Sequence, residues 1–433
     1  MSQPLLETDP TRVLDRVAGV IDRAAVWESD GVTVAAPQTD MEVSELLRVA
    51  SEEGWKVLPQ GASIGFPKCR ASPRGEGPRF LPDPDLVISL LGMTEVVDYQ
   101  PADQNVTVRA GVTLGAIQSL SSREEQWLAL DPPGGNEVTL GGVVSTGLSG
   151  PLRSQYGRPR DHVLGLTLVD GGGRVLSLGG RVVKNVAGFD LVRLATGSRG
   201  AFGVITEITF RLHPRAAEDR TFVWHQGDLG EAWDLGRSLM APRVPVAATE
   251  LLMGPWPSPL EGNGARIVVR LTGSEAAVQR TVDFLSEVAG VPDETLVAEA
   301  SEAVWLAISE GLGDRRVTFR LHTLPSRGRS LTPALAATPF ERLALHVSTG
   351  TFRGTMVDGE DLEVLFGLAD SVRGLGGTFD MRGVESSLGV ASDTEATPAK
   401  ARLHRELIRA FDGSGVLPGA WQERWGTSVS PLA

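Results

Sequence analysis

The sequence predicts an α+β fold in two or more domains, and three observations lead there. Its 433 residues exceed what a single core usually organises. Through the first half, short apolar strands alternate with capped amphipathic helices and glycine-rich loops. After "PRAAEDR" (214–220) the texture changes to longer strand and helix pairs, as in a separate α+β unit. A hydrophobic fraction of 41% with 22% charged residues is that of an ordinary soluble globular protein, and no apolar run reaches the length of a membrane span. The net charge of −13 argues against nucleic acid as the main partner. Cys69 is the sole cysteine, and the N-terminus has neither a basic nor an apolar signal region, so a reducing, cytoplasmic setting is expected.

The elements follow in order. Residues 39–54, "TDMEVSELLRVASEEG", spell a helix capped by Thr39 or Asp40, with Val43, Leu46, Leu47 and Ala50 on one face and Gly54 as its stop. "WKVL" (55–58), "DLVISL" (85–90) and "NVTVRAG" (105–111) read as strands. "TLGAIQSLSSREEQ" (113–126) reads as a helix capped by Thr113. "VLGLTLVD" and "RVLSL" flank Gly171, Gly172 and Gly173, which predicts a hairpin. "GVITEITFRLHP" (203–214) alternates like a strand with one buried face, closed by Pro214. "ARIVVRLTGSEAAVQRTVDFLSEVAG" (265–290) predicts strand, turn and helix in the second unit. A polar connector (385–400) then precedes a last helix. The expected organisation is a segment 1–35, a domain 36–215, a cap or substrate domain 216–390, and a connector with C-terminal helix, 391–433, returning to the first domain.

Gly61-Ala62-Ser63-Ile64-Gly65 has the GxSxG pattern of a hydrolase nucleophile elbow. An elbow needs a helix after the serine, and Pro67, Pro73, Gly75 and Pro78 forbid a regular one. Small residues in a turn serve equally well to bring backbone N–H groups against an anion, or simply to make the turn. A second glycine-rich run, "DPPGGNEVTLGGVVSTGLSG" (131–150), carries hydroxyls at Thr139, Ser145, Thr146 and Ser149. Two such loops suit a long ligand with a diphosphate at one end and a flat ring at the other. Neither loop is a Rossmann or Walker A fingerprint. Residues 151–200 hold eight basic against three acidic side chains, a local +5 inside an acidic chain that suits an anionic cofactor or substrate.

On "PPGGNEVTLGGVVSTGLSGPLRSQYG", "RDHVLGLTLVDGGGRVLSLGGRVVKNVAGFDLVRLATGSRGAFGVITEITFRLHP" and the shorter "VVRLTGSEAAV" and "LIRAFDGSGVLPG", the chain resembles the FAD-binding family of the vanillyl-alcohol oxidase and p-cresol methylhydroxylase type. Within it, the chain is similar to the glycolate oxidase subunits. The resemblance implies a two-part FAD-binding domain over 36–215 followed by an α+β cap. It also implies that the amides of Gly61, Ala62, Ser63, Ile64 and Gly65 hold the pyrophosphate. Pro132, Thr139, Gly141, Gly142, Ser145 and Thr146 would line the diphosphate and the isoalloxazine, and Gly150 would continue that wall. Gly203, Val204 and Ile205 would pass the adenine and ribose end.

The chain departs from the family in a stiffer loop at Ala62 and Ile64, an insert from Phe66 to Pro84, and Leu417-Pro418-Gly419 in place of Asn-Pro-Gly. No histidine is placed for covalent attachment, which implies unlinked FAD. The six histidines stand in no HxH or HH spacing, so no metal site is expected. Lys184 and Arg193 are the candidates for holding a substrate carboxylate, against the alternative of ion pairs with Asp190. The expected function is an FAD-dependent oxidoreductase subunit that oxidises a small 2-hydroxy acid such as glycolate. It would pass electrons to a partner, within an assembly containing a sister flavoprotein and an iron–sulfur subunit that links it to a membrane at most peripherally. The alternative is a non-catalytic FAD-holding or assembly subunit.

Overall fold

A computed structural model describes residues 9–29, 31–62, 84–180, 190–240, 246–258, 260–262, 264–312, 318–357, 363–382 and 398–419. The chain begins with helix Pro10–Val17 and a four-stranded sheet in the order Val26–Ser29, Val32–Ala35, Leu86–Ser89, Val57–Gln60. Residues 10–35, set apart in the sequence as an N-terminal segment, thus supply a helix and two strands to this sheet. Helix Asp40–Glu53 covers it with the apolar face read from the sequence, burying Val43, Leu46, Leu47 and Ala50 against Leu86 and Ile88. Its start is fixed by a reciprocal box: Glu42 N donates to Thr39 Oγ1 at 3.2 Å, and Thr39 N donates to Glu42 Oε2 at 3.0 Å. Gly54, at φ 71°, ends it in the left-handed region where a Cβ would be strained.

A five-stranded antiparallel sheet follows, ordered Val96–Gln100, Asn105–Arg109, Val204–Arg211, Val163–Val169, Val175–Gly179. The glycine-linked hairpin forms as read, with Val169 paired to Val175. Strand Val204–Arg211 departs from the one-sided burial expected of it. It is the central strand, and both faces are covered: Val204 packs in the first core, while Ile205, Ile208 and Phe210 pack in a second with helices Leu114–Ser121 and Leu140–Thr146.

The second unit is an eight-stranded antiparallel sheet ordered Glu294–Val297, Glu218–Gln226, Ala265–Gly273, Ala248–Met253, Phe340–His346, Thr351–Met356, Thr318–His322, Thr378–Arg382. One face carries Leu251, Ile267, Phe319, Leu345 and Phe352 under helices Leu229–Leu239, Glu275–Ala289, Thr332–Ala336 and Glu363–Gly374. Helix Glu299–Glu310 covers part of the other face through Trp305 and Ile308. The remainder of that face turns toward the first domain. Helix Pro398–Phe411 returns to the first domain, where Val57 N donates to Val416 O at 2.8 Å and the Asp412 carboxylate accepts from the amides of Gly415, Val416 and Leu417. No helix among the described residues is long and apolar enough to cross a membrane.

A ladder of rings ties the two units together. Arg270 of the cap sits 5.7 Å over Trp127, and Trp127, Tyr156, His213 and His162 follow edge to face with centroids 5.3 Å apart at each step. His162 has no exposed surface, and burial first, then His213, pushes its pKa down to about 4. Between pH 6.5 and 4 the unfolded chain therefore binds a proton that the folded chain refuses, so this residue costs stability as the pH falls through that window. Replacing His162 with Phe should remove the cost. Chemical denaturation at pH 7 and pH 4 should show the variant gaining about 3 kcal/mol on the parent at the lower pH, and a pH-independent difference would contradict this account.

Candidate functional site

The two glycine-rich segments read from the sequence meet at Thr139. Strand Val57–Gln60 delivers Gly61 against the Thr139 side chain, so closely that a Cβ at 61 would land on the hydroxyl. That hydroxyl accepts from Gly142 N at 3.4 Å and starts helix Leu140–Thr146. The helix is docked through Gly141, whose N–H donates to Ala110 O at 2.8 Å and whose Cβ, if present, would stand 2.7 Å from the Ala110 methyl. Gly142, Ser145 and Thr146 remain partly exposed on the same short helix, and Gly61 and Ala62 are partly exposed beside it. Pro132 is buried. Gly150 packs its backbone on the Asp131 carbonyl, leaving no room for a side chain. Val204 and Ile205 are core side chains in a buried strand that Gly203 leads, so only their backbone could serve a ligand.

The turn 196–199 closes the helix end, with Gly197 N donating to Val144 O at 2.9 Å and Arg199 N to Ser145 O at 2.7 Å. Within it Ser198 Oγ is buried without a hydrogen-bond partner. A buried hydroxyl left unsatisfied beside a strip of small, partly exposed residues fits a polar ligand that completes it. These residues fit FAD. Ser63, Ile64 and Gly65 lie outside the described residues, as does Lys184. Arg193 is exposed on helix Leu191–Ala195, 3.2 Å from Asp190 and 4.0 Å from Asp161.

Where the cap sheet turns toward these segments, its polar face carries charged groups that the sequence reading missed. Register places Glu250, His346, Thr351 and His322 in one row across four adjacent strands, with Arg353 and Arg320 in the next. His346 and Glu250 are almost completely buried, and Nδ1 lies 2.9 Å from Glu250 Oε1. Nε2 faces the other domain, 3.1 Å from the Ser154 hydroxyl and 3.0 Å from Ser348 Oγ. Arg353 lies 3.7 Å from the same carboxylate. Further contacts join the domains here: Tyr156 OH stands 3.1 Å from Thr272 Oγ1, and Thr272 donates to Gln155 Oε1 at 3.2 Å.

Asp131 borders the same cleft. It accepts from Leu152 N at 2.9 Å, and burial pushes its pKa up to about 7 against the opposing pull of that bond and of Arg353 and Arg270. The arrangement offers a buried carboxylate behind an imidazole, a guanidinium beside it, and hydroxyls reaching across the domain boundary. Such a set can hold an organic acid and take a proton from it. One signal in the sequence pointed here, a glutamate inside the apolar strand "ATELLM". A charge in a buried strand calls for a partner.

Comparison with known proteins agrees with this architecture. A family model described as "FAD binding domain" matches residues 32–179. The glycolate oxidase subunit GlcE of Escherichia coli is 45% identical over 121 residues, which are 28% of this chain and 35% of that protein. The D-lactate dehydrogenase of Archaeoglobus fulgidus is 35% identical over 190 residues, 43% of this chain and 40% of that protein. The chain thus spans well under half the length of these curated relatives. Among solved structures, p-cresol methylhydroxylase with substrate bound superposes with a TM-score of 0.76 at 12% identity, over 97% of this chain and 98% of that one, a likeness of fold alone. Residues 32–179 therefore belong to an FAD binding domain whose fold is like that of p-cresol methylhydroxylase, and FAD is its cofactor.

Proposed function

We propose that the chain is an FAD-dependent oxidoreductase subunit that oxidises a small 2-hydroxy acid, such as glycolate, and passes the electrons to a partner subunit. The observation that carries this reading is the buried Glu250–His346 pair whose Nε2 meets Ser154 across the domain boundary, with Arg353 beside Glu250. Glu250 favours the tautomer with hydrogen on Nδ1, which leaves the Nε2 lone pair to accept the hydroxyl proton. Arg353 holds the substrate carboxylate and so fixes which hydrogen of the carbinol carbon faces the groove. Bound FAD would supply the hydride-accepting chemistry at that face. Ser154 and Ser348 hold the place at Nε2 that the substrate hydroxyl takes. In this reading the acid falls to Arg353 rather than Arg193, which is already ion-paired and exposed.

Two of the relatives bear the names of glycolate oxidase subunits, GlcE of Escherichia coli and GlcD of Bacillus subtilis. They support a multi-subunit setting, with a sister flavoprotein and an iron–sulfur subunit as the proposed partners. A second reading, a FAD-holding assembly subunit without its own turnover, is favoured by the depth of His346, whose side chain is only 1% exposed.

The purified chain should show a flavin spectrum, and acid precipitation should leave the yellow colour in the supernatant, since the FAD is unlinked. Anaerobic addition of 2-hydroxy acids should bleach it. A yellow chain that no such acid bleaches supports the assembly reading, and colour retained in the pellet overturns unlinked FAD.

A further inference from the structure

One carboxylate of the cap, Asp219, reaches the FAD binding domain by two routes. On the first, Arg270 Nε donates to Asp219 Oδ1 at 3.1 Å, and both side chains are largely buried, at 5% and 16% exposure. The same guanidinium lies 5.7 Å over the ring of Trp127. On the second, Ser301 Oγ donates to Asp219 Oδ1 at 2.6 Å, and Ala298 N donates to the Asp219 main-chain carbonyl at 2.8 Å. Helix Glu299–Glu310 has no side-chain cap of its own, so its first turn takes its support from Asp219, whose negative charge suits a helix N-terminus. About 12 Å further along that helix, the Ser309 carbonyl accepts from Gly134 N at 2.9 Å. The Glu310 side chain lies so close to Gly135 that a Cβ there would stand 2.5 Å from its Cγ. Residues 127–134 are thus held at both ends by cap groups that share one carboxylate. Between the two ends lie Asp131, at the edge of the cleft, and Pro132.

We propose that Asp219 is a positioning residue for FAD: through Arg270 and through helix Glu299–Glu310 it fixes residues 127–134, and with them the wall that Pro132 gives to the isoalloxazine. The inference rests on that placement of Pro132. It needs no turnover by the chain, so it holds for a catalytic subunit and for an FAD-holding one alike. Asparagine at 219 keeps the shape but neither balances the buried Arg270 nor offers two acceptor oxygens.

Hydrogen exchange read by mass spectrometry on the FAD-loaded chain tests the hold directly. Exchange across residues 127–135 should rise roughly 10-fold in Asp219→Asn and about 3-fold in Ser301→Ala, which keeps the ion pair and removes one hydroxyl from the helix. Leu251→Ala, in the helix-covered core of the cap, is the control for lost stability and should leave that segment unchanged. Fluorescence titration and visible circular dichroism of the bound flavin give the consequence. FAD affinity should fall about 10-fold in Asp219→Asn with an altered dichroism, and Leu251→Ala should keep the parental spectrum. If Asp219→Asn does not fold, Ser301→Ala decides alone, with its smaller change in the same direction. Unchanged exchange at 127–135 overturns the hold, and equal effects from Leu251→Ala overturn it by making Asp219 a general stabiliser. Faster exchange with parental FAD affinity and dichroism leaves the hold standing but removes Pro132 from the ring, and the role toward FAD falls with it.

Discussion

A His346→Gln chain should bind FAD as the parent does and be reduced by a 2-hydroxy acid about 10²- to 10⁴-fold more slowly. Glutamine keeps a polar group near Ser154 but has no nitrogen that can accept a proton, so the loss belongs to proton removal rather than to folding. In the proposed reading the substrate carboxylate is held elsewhere, at Arg353, so KM should change far less than the rate of reduction. Glu250→Gln should be the milder change. It keeps the volume of a side chain with no exposed surface but removes the negative charge that stabilises imidazolium once the proton has arrived. Stopped-flow bleaching of the flavin under anaerobic conditions separates the two. Reduction at the parental rate would remove His346 from the chemistry and leave Asp131, partly exposed with its pKa raised to about 7, as the remaining group able to take the proton.

The first domain was legible in the sequence because its signals are local. Thr39 with Glu42, Gly54, Thr113, and the glycines at 171–173 each act within a few residues, and each does so in the fold. The strand Val204–Arg211 was misread as one-sided because Ile205 and Thr209 alternate with Glu207 and Arg211 and so look like members of an exposed face. In the sheet Ile205 is buried, and Thr209 is buried against Thr107 through a 2.9 Å hydroxyl contact. The chemistry between the domains was invisible for a different reason. His346 meets Ser154 across 192 positions, and Glu250 and Arg353 become its neighbours only through strand register. Searching for paired histidines could not find a histidine whose partners are a glutamate and two serines.

Two adjacent glycines should separate the support of the flavin groove from its surface. Gly141→Val should cost about 1 to 3 kcal/mol of stability, because its Cβ would stand 2.7 Å from the Ala110 methyl and 2.8 Å from the Ala110 carbonyl, and backbone cannot rotate away. Moving the helix off Ala110 also moves Ser145, Thr146 and the turn they support, so FAD should be lost with the stability. Gly142→Ala meets only the Thr139 hydroxyl at 3.0 Å, the end of a small side chain, and exchanges a glycine for the best helix former. Without FAD this variant should be as stable as the parent or more so by up to about 1 kcal/mol. In the proposed placement of FAD against this helix, the added methyl takes up surface the cofactor needs, and affinity should fall 10-fold or more. Thermal unfolding of the flavin-free proteins and fluorescence titration with FAD measure the two effects independently. A Gly142→Ala chain that takes up FAD as tightly as the parent would show that the cofactor does not lie against this helix, and the groove would then have to run along strand Val57–Gln60 and the turn at Ser198 instead.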